Sequence, residues 1–337
     1  MNRLTVMSRA LAVCAIASAI ASPVSSAELA LPRDGWVSWE VAAVDDAPNW
    51  CCWSDSRPGT APKPCRLDGF RDGYSSRDGE TTDTVRVYAR LNGGKVERVR
   101  ALSATCPVHA GTEIQDIGKV AADDSARWIA MLLQPANADI VTRRLIGKDA
   151  LAALAIHEGN IAQQALATIA ASDARDETRK EAVFWLAHLR GREGAEVVTA
   201  IMFNDKDPDV REHAAFAVSL SKSPQAASDL IRLANTDRNA QVRGQGWFWL
   251  AKTEAAGAER AIDAALRKEG EDSVREQAIF ALSQLPEDRA TRALIAVAQD
   301  KSLRREDRKR AVFWLSQSES AAAQAYLEQV ITARRGD

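Results

Sequence analysis

A chain of 337 residues with 46% hydrophobic and 27% charged residues has the composition of a folded protein and excludes extended disorder. Only 6% of it is aromatic and long stretches are rich in alanine, which favours closely packed helices over a sheet sandwich. Setting aside Arg3 and Arg9, which fall in a leader, 42 basic residues face 46 acidic ones with no long run of one sign, which argues against nucleic acid as a partner.

Residues 1–27 read as a secretory signal peptide. Arg3 and Arg9 precede an apolar run over 10–21, and Ser25, Ser26 and Ala27 supply the small residues of a cleavage site near Ala27. The run is too short and too alanine-rich to span a bilayer, and no later segment approaches the roughly 20 apolar residues of a transmembrane helix. Cys14 follows Val13, where a lipid-modified cysteine wants a small residue, so simple export is expected. The mature protein is expected in the periplasm or outside the cell, with no membrane span.

Residues 28–118 read as a small β-rich domain. Residues 36–41 alternate like a strand, and two strand-like runs, 84–91 and 95–103, flank Asn92, Gly93 and Gly94, a turn signal for a hairpin. Between these lies a loop rich in Asp, Gly, Pro and Ser. A helix starting near Asp123, with Trp128 and Leu132 on one side, forms a linking segment over 119–139.

All four cysteines of the mature chain, Cys51, Cys52, Cys65 and Cys106, lie in this domain and are expected to oxidise after export. A bridge between adjacent residues strains the peptide, so Cys51 and Cys52 are expected to take Cys65 and Cys106 as partners, in either order. The competing reading is a metal site, since Cys106 and His109 have C-x-x-H spacing. Adjacent cysteines are awkward ligands of one tetrahedral centre, and no second paired motif accompanies them. Neither metal nor cofactor is expected, and C-x-x-C redox chemistry has no motif.

From residue 140 to 337 one phrase recurs. Aligned on an arginine, the copies begin at Arg179, Arg211, Arg243, Arg275 and Arg308, with spacings of 32, 32, 32 and 33. Each reads as a helix, a polar break, a second alanine- and leucine-rich helix and an acidic turn, which is one helical hairpin. One period earlier, residues 150–154 keep the apolar pattern without arginine or phenylalanine, as an N-terminal capping repeat would. Each arginine recurs beside acidic turn residues, which suggests pairing between hairpins.

Residues 205–211, DKDPDVR, followed by Ala214 and Ala215, are the copy that most resembles the short HEAT-like repeat also found in phycobilin-lyase-like repeat proteins of bacteria. The resemblance covers roughly residues 140–335. It implies an α-α solenoid of about six hairpins, the first degenerate, and hence about twelve helices; it implies no particular activity. The fold class expected is therefore mainly α, a HEAT-like solenoid preceded by a disulfide-containing β-rich domain.

Within each first helix, 100° per residue places the positions three, four and seven after the arginine on one buried face, as with Ala182, Val183 and Leu186. Six after it, at the flank, the occupant alternates: Ala153, Trp185, Ala217, Trp249, Ala281, Trp314. A large ring beside a small neighbour fills space without overpacking. Five after the arginine, nearly opposite the core, stands a phenylalanine in every full copy: Phe184, Phe216, Phe248, Phe280 and Phe313. These five are the candidate partner-binding residues, a row with copies about 10 Å apart at usual helix spacings. The competing reading has each ring folding down to cover its neighbouring hairpin.

His157, His188 and His213 sit at different helical phases and are expected on the surface or in turns. No P-loop, dinucleotide glycine pattern, H-E-x-x-H or G-x-S-x-G sequence occurs, so no catalytic residue is assigned. The function expected is a non-enzymatic exported scaffold that binds a protein or peptide. A second possible contact surface is the row of second helices, with Asp229, Arg232, Asp263, Arg267, Arg292 and Glu328. The alternative is a ligand- or metal-sensing module in the cysteine-containing domain, carried on the solenoid.

Overall fold

The structure, a computed structural model, describes residues 29–52, 64–69, 74–134, 140–173 and 175–333. The leader over 1–27, with Cys14, lies outside the described residues, as does the side chain of Cys52. Eight strands come first: β1 (Gly35–Ala42), β2 (Pro48–Cys52), β3 (Cys65–Arg66), β4 (Tyr74–Thr81), β5 (Thr84–Asn92), β6 (Lys95–Ser103), β7 (Val108–His109) and β8 (Ile114–Lys119). Helix α1 (Ala122–Leu133) follows. Six hairpins then run in order, α2 (Ile140–Ile156) with α3 (Asn160–Ser172), α4 (Asp176–Leu189) with α5 (Gly191–Asn204), and α6 (Pro208–Leu220) with α7 (Ala226–Thr236). The last three are α8 (Ala240–Lys252) with α9 (Ala258–Leu266), α10 (Asp272–Ser283) with α11 (Glu287–Gln299), and α12 (Arg305–Ser316) with α13 (Ala321–Ala333).

The main sheet has the order β6-β5-β1-β8, antiparallel except where β8 joins β1 in parallel. The β5–β6 reversal uses Gly93 and Gly94 at φ 57° and 78°, the left-handed region that a tight hairpin turn requires. Alternation sorts the side chains onto two faces. Val37, Trp39, Val41, Val85, Val87 and Val99 enter the main core, while Trp36, Tyr88 and Leu102 point the other way into a small cluster with Cys65, Leu67 and Cys106. A bridge joins Cys51 to Cys106 with their Cα atoms 5.4 Å apart. Cys65 is disulfide-bonded as well.

The core continues without a break from Val37 in β1 to Ala323 in α13. The first hairpin is consequently more deeply buried than a terminal repeat, because residues 150–156 are all at or below 2% exposed. A capping repeat keeps a polar outer face; here the sheet and α1 do the covering, and 150–154 can be apolar throughout. Backbone bonds fix the junction, from Val44 N–H to the Ile156 carbonyl (2.9 Å) and from Glu158 N–H to the Ala42 carbonyl (3.0 Å).

His157 corrects the surface assignment made from sequence, since it is fully buried at this junction. Trp39 Nε1 donates to Ser125 Oγ (2.7 Å), Ser125 Oγ lies 2.8 Å from His157 Nε2, and His157 Nδ1 lies 2.5 Å from the Ala153 carbonyl. A carbonyl can only accept, so Nδ1 carries the ring proton and Ser125 donates to Nε2. Phase alone could not place this residue, because what buries it comes from β1 and α1. His188 is exposed and His213 half-buried.

The recurrent arginines form an internal ladder. Arg211, 1% exposed, grips Asp237 through Nε and Nη2, both at 2.8 Å, and donates to the Asp205 carbonyl at 3.0 Å. Arg243 repeats the pattern on Glu269 (3.0 and 3.3 Å) and the Asp237 carbonyl (3.0 Å). Arg179 approaches Asp205 and Asp207 at 3.4 Å, and Arg275 pairs with Asp307. Each acidic turn thus receives one arginine on its carboxylate and the next repeat's arginine on its carbonyl. Where Lys301 stands in place of the expected acid, Arg275 turns to the following helix.

Candidate interaction surface

Small residues on the buried face let each first helix approach its neighbours closely, including the second helix of the hairpin before. Ala182, Ala214 and Ala311 are fully buried, and in α8 the same position is Gly246, where a Cβ would come within 2.9 Å of the Ala234 methyl. The residues opposite the buried face line up in stripes, one per helix, at positions i, i+3, i+4 and i+7. In α6 the stripe is Asp209, Glu212, His213 and Phe216; in α8 it is Gln241, Gly244, Gln245 and Phe248.

The phenylalanines occupy the expected face, and only Phe313, at 55%, is largely exposed; the other four are half-buried. They lean together more than helix spacing alone implies. Phe184 and Phe216 stack with centroids 6.4 Å apart, and Phe248 and Phe280 at 5.8 Å. The remaining steps run through tryptophan, Phe216 to Trp249 at 4.8 Å and Phe280 to Trp314 at 5.0 Å. This explains the alternation: each tryptophan bridges from its own phenylalanine to that of the repeat before. Trp185 has no such ring in the first hairpin and meets Trp50 of β2 at 5.3 Å. The result is one continuous line of rings from β2 to α12, partly covering the hairpins and partly open.

Exposure differs enough along the row to be measured. Phe216→Ser removes a ring with neighbours on both sides and is expected to cost about 1–3 kcal/mol in urea unfolding. Phe313→Ser, with one neighbour, is expected to cost under about 1 kcal/mol.

Beside Phe216 and Trp249 the surface sinks into a concavity of about 490 Å³, bordered by Lys180, Asp209, Glu212 and Gln241. Burial raises the pKa of Glu212, against a hydrogen bond from Gln241 Nε2 (3.1 Å) that favours its charged form. Burial likewise lowers that of His213, with Lys180 adding to the effect, and its Nε2 is buried without a hydrogen-bond partner. Sequence reading singled out Phe216 as the candidate, took His213 only as a surface residue and gave Asp209 and Glu212 no binding role; counting charge stripe by stripe would have set them apart.

The second-helix surface is different in kind. Arg267 closes onto Asp263 (3.0 Å) and Asp300 (2.7 Å), and Arg232 lies 3.6 Å over the Phe203 ring. Asp229, Arg292 and Glu328 on the same surface form no ion pair with a described residue, so only its middle part is closed by paired charges. In the N-terminal region the Cys106 sulfur is bonded to Cys51, which leaves no thiolate for the C-x-x-H spacing to offer a metal, and no group of three potential ligands occurs among the described residues. No helix among them is long and apolar enough to cross a membrane.

Comparison with known families matches residues 163–246 to HEAT repeats and residues 274–300 to the PBS lyase HEAT-like repeat. This is a HEAT-repeat protein. The chain aligns with human deoxyhypusine hydroxylase in complex with glycerol at 15% identity and a TM-score of 0.29, over 62% of this chain and 90% of that one. It also aligns with YibA of Escherichia coli at 20% identity and a TM-score of 0.35, over 56% and 69% of the two chains. No curated protein matches.

Proposed function

We propose that this HEAT protein is an exported, non-enzymatic scaffold that binds a protein or peptide along the first-helix row of Phe184, Phe216, Phe248, Phe280 and Phe313. The observation that carries the reading is the continuous line of partly open rings beside two carboxylates, Asp209 and Glu212, that form no ion pair with a described residue. Apolar stripes of this kind, with polar residues alongside, mark interaction surfaces. Export is supported by the leader over 1–27 and by the bridge from Cys51 to Cys106, which persists in oxidising compartments.

Photo-crosslinking amino acids at Gln277 on the first-helix surface and at Arg292 on the second-helix surface separate the two faces in the living cell. A recurrent protein adduct from Gln277 and not from Arg292 is expected, in the same fraction as the protein cleaved near Ala27. Adducts from Arg292 alone, or none from either position, would overturn the reading.

A further inference from the structure

The charges along the row do not cancel evenly. Of the stripe residues, Glu177 holds Lys180 (3.2 Å), Glu306 holds Lys309 (2.8 Å), and Arg310 holds Glu276 (3.2 Å). Glu181 accepts from Trp185 Nε1 (3.0 Å), and the α8 stripe of Gln241, Gly244, Gln245 and Phe248 carries no charge. What remains is the α6 stripe, where Asp209 and Glu212, one turn apart on the same face, form no ion pair with any described residue. Beyond them on that stripe stands Phe216, backed by Trp249 at 4.8 Å. Two carboxylates without a contact ion pair and an aromatic wall therefore share one concavity of about 490 Å³, with Lys180 on its rim.

Taking the scaffold reading as its basis, we propose that the α6 stripe, with Trp249 from α8, is the pocket for a cationic side chain of arginine or lysine projected by the bound segment. The carboxylates of Asp209 and Glu212 supply the counter-charge, and the faces of Phe216 and Trp249 supply cation–π attraction and cover the aliphatic stem. The row already shows this chemistry internally, because Lys252 Nζ sits 5.7 Å from the centroid of the Phe248 ring. Lys180, on the rim, attracts Glu212 at longer range, but its contact ion pair is with Glu177 on its own helix, so neither carboxylate of the pocket is held in an ion pair. An anionic side chain would meet two carboxylates at close range, and an aliphatic one would cover them from water without pairing them. Both are disfavoured, so the charge of the occupant is selected as well as its bulk.

The test compares two short, capped, fluorescein-labelled peptides of glycine and leucine, one with a central arginine and one with its neutral isostere citrulline, by fluorescence anisotropy on the mature protein. The arginine peptide is expected to bind about tenfold more tightly. In the Asp209→Asn/Glu212→Gln protein that preference is expected to fall below about twofold, with citrulline-peptide binding unchanged. An unchanged thermal unfolding midpoint shows that this variant is folded. Equal binding of the two peptides by the wild-type protein, no binding of either, or a preference that survives the double substitution would overturn the cation pocket. Adducts retained at Gln277 in that case would leave the scaffold standing, and their loss would remove it too.

Discussion

Arg211→Met is expected to lower the stability of the protein by about 3–5 kcal/mol in urea unfolding, the largest effect of any single charged residue in the array. The reason is what the arginine leaves behind. Its side chain and that of Asp237 are 2% and 5% exposed, so the carboxylate would stay buried with its bidentate partner gone. The carbonyl of Asp205 would lose its donor as well. The pair itself is not a large net gain, because taking both ions from water costs nearly what their attraction returns. The Arg211→Met/Asp237→Leu protein is therefore expected to recover most of the loss, short of about 1 kcal/mol for the hydrogen bond that Asp237 Oδ1 accepts from Asn239 N–H. A double variant as unstable as the single one would show that the ladder contributes through its own attraction.

Acidification from pH 6.5 to pH 4 is expected to remove roughly 3 kcal/mol through His157 alone. Complete burial is the largest cause of its lowered pKa, about 4 against 6.5; the Ala153 hydrogen bond opposes the shift and Arg190 adds to it. The folded state thus holds the ring neutral where the unfolded chain binds a proton. The linked stability is full above pH 6.5 and declines as the pH falls towards 4. His213 is lowered mainly by burial and acts in the same sense, whereas Glu212, raised by burial, acts in the opposite one. The ladder carboxylates come into play lower. Burial opposes ionisation of Asp237 and Glu269, but hydrogen bonds from Arg211 and Arg243 outweigh it, so both pKa values are lowered. Their contribution is present above the ordinary carboxylate range and is lost as the pH drops through and below it. Urea midpoints of the wild-type and His157→Gln proteins across this range separate the two windows. A variant whose midpoint falls as steeply between pH 6.5 and 4 would refute the assignment to His157.

The repeats were legible because their determinants are local and recur. The arginine spacing located every hairpin, and Ala182, Val183 and Leu186 are fully buried as their helical phase requires. The face of the phenylalanines followed from the same geometry; their stacking did not, because it depends on which rings a neighbouring repeat presents. The alternation of Trp185, Trp249 and Trp314 was visible as a pattern, but its partner in the first hairpin, Trp50, comes from a strand that no repeat register could connect to it. His157 failed for the same reason. Its burial is a property of the contact between two regions, as is the apolar surface of residues 150–156. In the pocket, Asp209 and Glu212 look on their own like any solvated helix start, and only a tally of what their neighbours already hold sets them apart.

The sheet that closes one side of the first hairpin has a mechanical consequence. Every HEAT unit is held by its neighbours, yet the first is also welded by β1 and α1 into a body braced by a disulfide. At the other side, Ala323 is the one fully buried side chain of α13 among those described. Local opening is therefore expected to be easier towards α13 than at the junction of β1, α1 and the first hairpin, which hydrogen exchange along the array would show.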